Sequence, residues 1–148
     1  MLVTSSDLSG KPKSMWLTKE AKAHELQKLA IRIKDGSIDE EAIKHITKLN
    51  TLSDVVSYEC HTGQDCGYIS FKTSQKLGYY VESSIFPEFV NLKWATRCNK
   101  RMDHDDSGNL QIVYVIHCKV GELGDMVNKL VLRIELFKKT ADPSALYL

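Results

Sequence analysis

A chain of 148 residues with 43% hydrophobic and 26% charged side chains has the length and composition of one folded domain. Twenty Lys+Arg against nineteen Asp+Glu leave a formal net charge of +1, too near neutral for strong generic binding of nucleic acid or of an anionic membrane surface. No apolar run approaches the roughly 18–20 residues that span a bilayer, and residues 1–15 lack the apolar centre of a secretion signal, so the four cysteines are expected as reduced thiols in a cytoplasm.

Residues 1–15 carry Ser, Gly, Pro and Lys and are expected to form an arm ahead of a single domain over 16–140, with an apolar tail at 141–148. A first helix is predicted over 16–34. Thr18 is its N-cap, Ala23, Leu26, Ala30 and Ile33 recur at helical spacing with Leu29 beside them, and Asp35-Gly36 ends it. Ser37-Ile38-Asp39-Glu40 has the form of a capping box. Ile38, Ala42, Ile43, Ile46 and Leu49 make the stripe of a second helix that stops by Asn50.

The period then changes. A β-prone run at 55–60 and an alternating run at 66–73 predict a hairpin around His61-Thr62-Gly63-Gln64-Asp65. Residues 78–82 read as a third strand and 84–94 as a helix with Pro87 in its first turn. A second hairpin follows over 95–103 and 110–120, turning at Asp105-Asp106-Ser107-Gly108-Asn109. In its second strand Leu110, Ile112, Tyr114, Ile116 and Cys118 share one face, expected against the core, and Gln111, Val113, Val115, His117 and Lys119 share the other. A last helix over 122–139 has Leu123, Met126, Val127, Leu130, Ile134 and Phe137 as its stripe. The order α-α-β-β-β-α-β-β-α predicts an α+β fold: a mostly antiparallel sheet with helices on one face.

No phosphate loop, dinucleotide fingerprint, zinc-protease motif or nucleophile elbow is legible, so no catalytic residue and no cofactor is named. The densest polar cluster is Cys60-His61-Thr62-Gly63-Gln64-Asp65-Cys66. Cys60, His61 and Cys66 have the chemistry of metal ligands but no second pair at zinc spacing, so no metal is expected. Cys60 and Cys66 could bridge in an oxidised state, and Cys60 beside His61 or His117 has the ingredients of a thiolate nucleophile. The plainest alternative is a polar loop between two buried thiols. Asp103-His104-Asp105-Asp106 is either a divalent-cation cluster or a solvated hairpin tip. If the strands bearing Tyr68, Ser70 and Lys72 and bearing Gln111, His117 and Lys119 are neighbours, they present a basic, aromatic surface suited to an anionic or nucleotide-like ligand, or else a plain solvent face.

The helix opening at Ser37-Ile38-Asp39 and closing at Leu49-Asn50 leads into Val56-Ser57-Tyr58-Glu59-Cys60-His61-Thr62-Gly63, and then Gly67-Tyr68-Ile69-Ser70-Phe71. Over residues 35–138 this pattern resembles the wybutosine-synthesis family Tyw3 and its small phage and bacterial relatives. That family has a Ser-Cys-Ser-Gly-Arg-like turn near S-adenosylmethionine and tRNA. Cys60 matches it, while His61, Thr62 and Gln64 stand where the family has its second serine and its arginine. The resemblance implies that residues 60–67 line a ligand site. The expected function is a small module that binds a nucleotide or nucleotide-derived metabolite through Cys60, His61, Thr62, Gly63, Tyr68, Lys72 and His117. The alternative is a phage-type accessory or inhibitor protein in the host cytoplasm. It would act on a protein partner or sequester a nucleotide immune signal, without catalysis. Homo-oligomers are compatible with either.

Overall fold

The computed structural model describes residues 14–63 and 66–140. The expected arm up to residue 13, the loop residues Gln64 and Asp65, and the tail at 141–148 lie outside them. Five α-helices and four strands run α1 (Lys19–Lys34), α2 (Glu40–Asn50), β1 (Val55–Thr62), β2 (Cys66–Thr73), α3 (Gln75–Tyr80), α4 (Phe86–Asn91), β3 (Arg97–His104), β4 (Leu110–Lys119) and α5 (Leu123–Thr140). All strand pairs are antiparallel, in the spatial order β1-β2-β4-β3. The fold is α+β.

Residues 78–82 are helical rather than a third strand. A π turn, Val81–Ile85, joins α3 to α4 end to end. The run Gly-Tyr-Tyr-Val-Glu has strand-like composition, but Leu77, Val81, Ile85 and Phe89 are all buried and recur every fourth residue. Packing therefore overrides local preference. Gly78 faces the Trp16 ring, and a Cβ there would come within 2.8 Å of the Tyr114 hydroxyl and 3.0 Å of Thr73 Oγ1. The helix can approach the sheet only because this position has no side chain.

One sheet face carries the main core. Ile69, Phe71, Ile112, Tyr114 and Ile116 pack with Leu77, Val81, Phe89, Leu123, Met126, Leu130 and Ile134. Leu110, expected in this set, is 44% exposed because it lies at the outer end of β4. Arg133 of α5 clasps Glu88 of α4 with two hydrogen bonds of 2.6 and 2.9 Å. The Tyr114 hydroxyl donates to Glu82 Oε2 at 2.6 Å, and Lys100 Nζ binds the other oxygen at 3.0 Å. Burial works against the Glu82 carboxylate, but these two hydrogen bonds outweigh it and hold its pKa below the usual value.

Helix α1 lies against the opposite face. Thr18 caps it as expected, accepting from Ala21 N at 3.1 Å. Its inward residues are Glu25 and Leu29, whereas Ala23, Ala30 and Ile33 of the expected stripe are exposed. The inward position goes to Glu25 because Lys72 of β2 awaits it 3.8 Å away. The capping box at Ser37 does not form. Asp39 is the N-cap of α2, and Ser37 instead hydrogen-bonds the Asp35 carboxylate, closing the turn between the helices.

Strand β1 contains a bulge. Ser57 pairs with Phe71 and Glu59 with Ser70, so Tyr58 is an extra residue. Regular alternation would place Ser57, Glu59 and His61 on one face. The bulge sends Ser57 to the core side and Glu59 and His61 to the other. Asn50 at the end of α2 holds it, accepting from Ser57 N at 2.6 Å and donating to Ser57 O at 2.9 Å. Arg32 of α1 donates to Tyr58 O at 3.0 Å.

Replacing Asn50 with Ala leaves the backbone groups of fully buried Ser57 without partners. The expected loss is about 1–3 kcal/mol per orphaned group. Chemical denaturation of Asn50→Ala checks this, and an unchanged midpoint would show that the bulge holds its own geometry.

A candidate ligand face on the sheet

The open part of the second sheet face is organised in cross-strand rows. The register aligns His61 of β1, Tyr68 of β2, His117 of β4 and Arg97 of β3, one residue from every strand. His61 stacks on Tyr68 with ring centroids 5.4 Å apart and an interplanar angle of 26°. Tyr68 and His117 lie 5.5 Å apart, tilted at 45°. Arg97 Nη2 is 3.2 Å from His117 Nε2. Three flat rings and a guanidinium thus form a continuous strip.

The next row is Glu59, Ser70, Val115 and Asn99. Ser70 Oγ donates to Glu59 Oε1 at 2.8 Å, and the Tyr68 hydroxyl donates to Glu59 Oε2 at 3.4 Å. Arg101 of β3 reaches Glu59 of β1 at 3.1 Å and Asp103 at 3.0 Å. β1 and β3 are the two sheet edges, about 14 Å apart at ordinary strand spacing. The Arg101–Glu59 pair therefore bridges the two inner strands. Val113 and Val115 beneath are buried, so β4 is covered on both faces and its second face is no plain solvent surface.

These contacts tune the titrating groups. Burial, then the charges of Arg97 and Arg101, push the His117 imidazole below its usual pKa, so it is held neutral near pH 7. Burial, then the Glu59 carboxylate, push the Tyr68 phenol up.

The expected site residues are therefore divided. His61, Tyr68 and His117 come together. Arg97 joins them through the β3–β4 register, which the sequence pattern does not fix to the residue. Cys60 does not join. It pairs with Ile69 on the other face and packs against the core. Burial pushes its thiol up to about 12, which removes the thiolate a nucleophile needs. Thr62 pairs with Gly67 and is exposed at the end of β1, off the strip. The space beside Gly63 is filled by the His61 imidazole, which folds back over it. Lys72 lies four residues along β2 from Tyr68, about 13 Å away, buried beneath α1.

Around 103–106 each carboxylate has a protein partner: Asp103 with Arg101, Asp106 with Lys28, and Asp105 with the turn amides of Ser107 and Asn109. No group of three His, Cys, Asp or Glu side chains suited to a metal ion occurs among the described residues. None of their helices is long and apolar enough to cross a membrane. No protein-family model, curated protein or solved structure matches the chain.

The thiols differ in their surroundings. Burial raises Cys60 to about 12 and, as the leading cause, Cys98 and Cys118 to about 11, whereas Cys66 is exposed. Alkylation of the folded protein at pH 8 is therefore expected to label Cys66 first and alone, with the other three reacting only after denaturation. Peptide mapping of the alkylated protein checks this, and early labelling of Cys60 would contradict the strand parity described above.

Proposed function

We propose that the protein binds a nucleotide or nucleotide-derived metabolite on the open sheet face, its base stacking on the His61–Tyr68–His117 strip and its phosphate facing Arg97. The observation that carries this reading is the single cross-strand row holding all four side chains. Flat rings on a sheet accept any base through their π faces, and each stacked base is worth about 1–3 kcal/mol. Arg97 is exposed and its fork suits a phosphate. The near-neutral total charge argues for one small ligand rather than a long nucleic acid. The Tyw3-like pattern around Cys60 supports the same reading, since the resemblance implies a ligand near this hairpin. The displaced Cys60 and the histidines lining the strip support binding more than methyl transfer.

Native mass spectrometry of freshly purified protein reads any carried ligand and the subunit count together. Titration with AMP is expected to weaken at least about tenfold, or 1.4 kcal/mol, in Tyr68→Ala and in Arg97→Ala, with melting temperatures near the parent's. A phosphate beside His117 opposes the two arginines and raises the imidazole's proton affinity. The AMP phosphate itself titrates at about pH 6, so the probe for this is 3′,5′-cyclic AMP, whose phosphodiester keeps one charge: its binding should take up a proton at His117 and tighten as pH falls below about 7. Full binding by both variants, or affinity flat with pH, counts against the site.

A second reading draws on exposed apolar groups near the start of β4. Met15, whose carbonyl accepts from Ile112 N, lies with Met102 and Leu110 around Ile112 and all three are over 40% exposed. Such a patch suits a protein partner, as in a phage-type accessory or inhibitor. Loss of a co-purifying protein in Met102→Lys, with AMP binding absent in the parent, would favour it.

A further inference from the structure

A cleft of about 570 Å³ lies between α1, the β3–β4 hairpin tip and the sheet, outside the strip described above. A smaller cavity of about 220 Å³, lined by the Lys28–Asp106 pair at 2.9 Å, shares Glu25, Lys72, Asp105 and Asp106 with it. Its floor is unusual. The Lys72 side chain is 8% exposed, yet among the described residues its ammonium makes no hydrogen bond. Its closest carboxylate, Glu25 Oε1, is 3.8 Å away, within ion-pair reach but beyond hydrogen-bond distance, and Lys72 Nζ otherwise sits 5.2 Å over the Tyr58 ring. The stem of Lys72 is covered, but its ammonium opens onto both cavities, where its unused donors can meet a ligand.

The chemistry of the cleft narrows what would satisfy it. Glu20, Glu25, Asp105 and Asp106 outnumber the nearby cations Lys28, Arg32 and Lys72, so an anion is disfavoured. Trp16, Leu17 and Ala21 give an apolar wall for a flat ring. Lys72 and Glu25 together offer a donor beside an acceptor 3.8 Å apart. A cis amide presents the complementary pair, its oxygen and nitrogen about 2.3 Å apart from ordinary bond lengths, with hydrogen bonds that splay outwards.

We propose that this cleft binds a neutral planar heterocycle through a cis-amide edge, the carbonyl accepting from Lys72 and the ring N–H donating to Glu25. The cleft recognises a free base or nucleoside of the oxo type rather than its phosphate ester, and it does so independently of the sheet strip.

The probe is inosine, titrated into the full chain and followed by amide NMR. Shifts are expected at Ala21, His24 and Gln111. 1-Methylinosine keeps the ring but lacks the N–H, and it should bind at least about tenfold more weakly. Glu25→Gln should weaken inosine binding similarly. If that variant does not fold, the comparison of the two nucleosides on the unaltered protein decides. Equal affinity for both nucleosides overturns the proposal, as does an absence of shifts at millimolar inosine. Shifts confined to Tyr68 and His117 overturn it too and would belong to the sheet strip, so the two sites succeed or fail separately.

Discussion

The extra residue Tyr58 in β1 is the constraint on which the open face depends. It resets the parity of the strand, so that Ser57 and Cys60 turn to the core while Glu59 and His61 turn outward. Glu59 then becomes the centre of a hydrogen-bonded group containing Tyr68, Ser70 and Arg101, and His61 becomes the first ring of the strip. A regular strand would have buried a carboxylate and an imidazole against Ile69 and Phe71. The bulge is secured from outside the sheet, by Asn50 and Arg32 on two different helices, so the face is positioned by the packing of α1 and α2 as much as by the strands themselves.

Much of the fold was legible because periodicity and end signals agreed. The stripe of α5, the alternation of β2 and β4, the Thr18 cap and the turn at Asp105–Asn109 each express a local rule. The departures occur where tertiary partners outbid local preference. Residues 78–82 resemble a strand in composition, yet Leu77, Val81, Ile85 and Phe89 spell a helical stripe across a glycine that the sheet requires. Glu25 takes the inward position of α1 only because Lys72 lies opposite, a fact with no trace in the helix's own sequence.

The candidate site was legible in part for a related reason. Tyr68 and His117 follow from alternation within two strands, and their adjacency required only that β2 and β4 be neighbours. Cys60, expected at the ligand site, lies instead on the core side, because a bulge has no reliable sequence mark and one inserted residue reverses the parity of every position beyond it. Lys72 faces away from the main core, as the alternation of β2 implies, but a second face can carry its own cover. Here that cover is α1, and the lysine became the floor of a separate cleft.

The hold of Asn50 and Arg32 on β1 also bears on how molecules of this chain meet in solution. Edge strands invite extension by a neighbour, because their amides and carbonyls point outward. On the β1 side, some of those groups at Ser57 and Tyr58 are already taken by side chains. On the β3 side the strand carries charged side chains, Arg97, Lys100, Arg101 and Asp103, which a second copy aligned edge to edge would have to accommodate. Continuous sheet growth from one molecule to the next is thus discouraged at both borders, by occupied hydrogen-bonding groups at one and by charged side chains along the other.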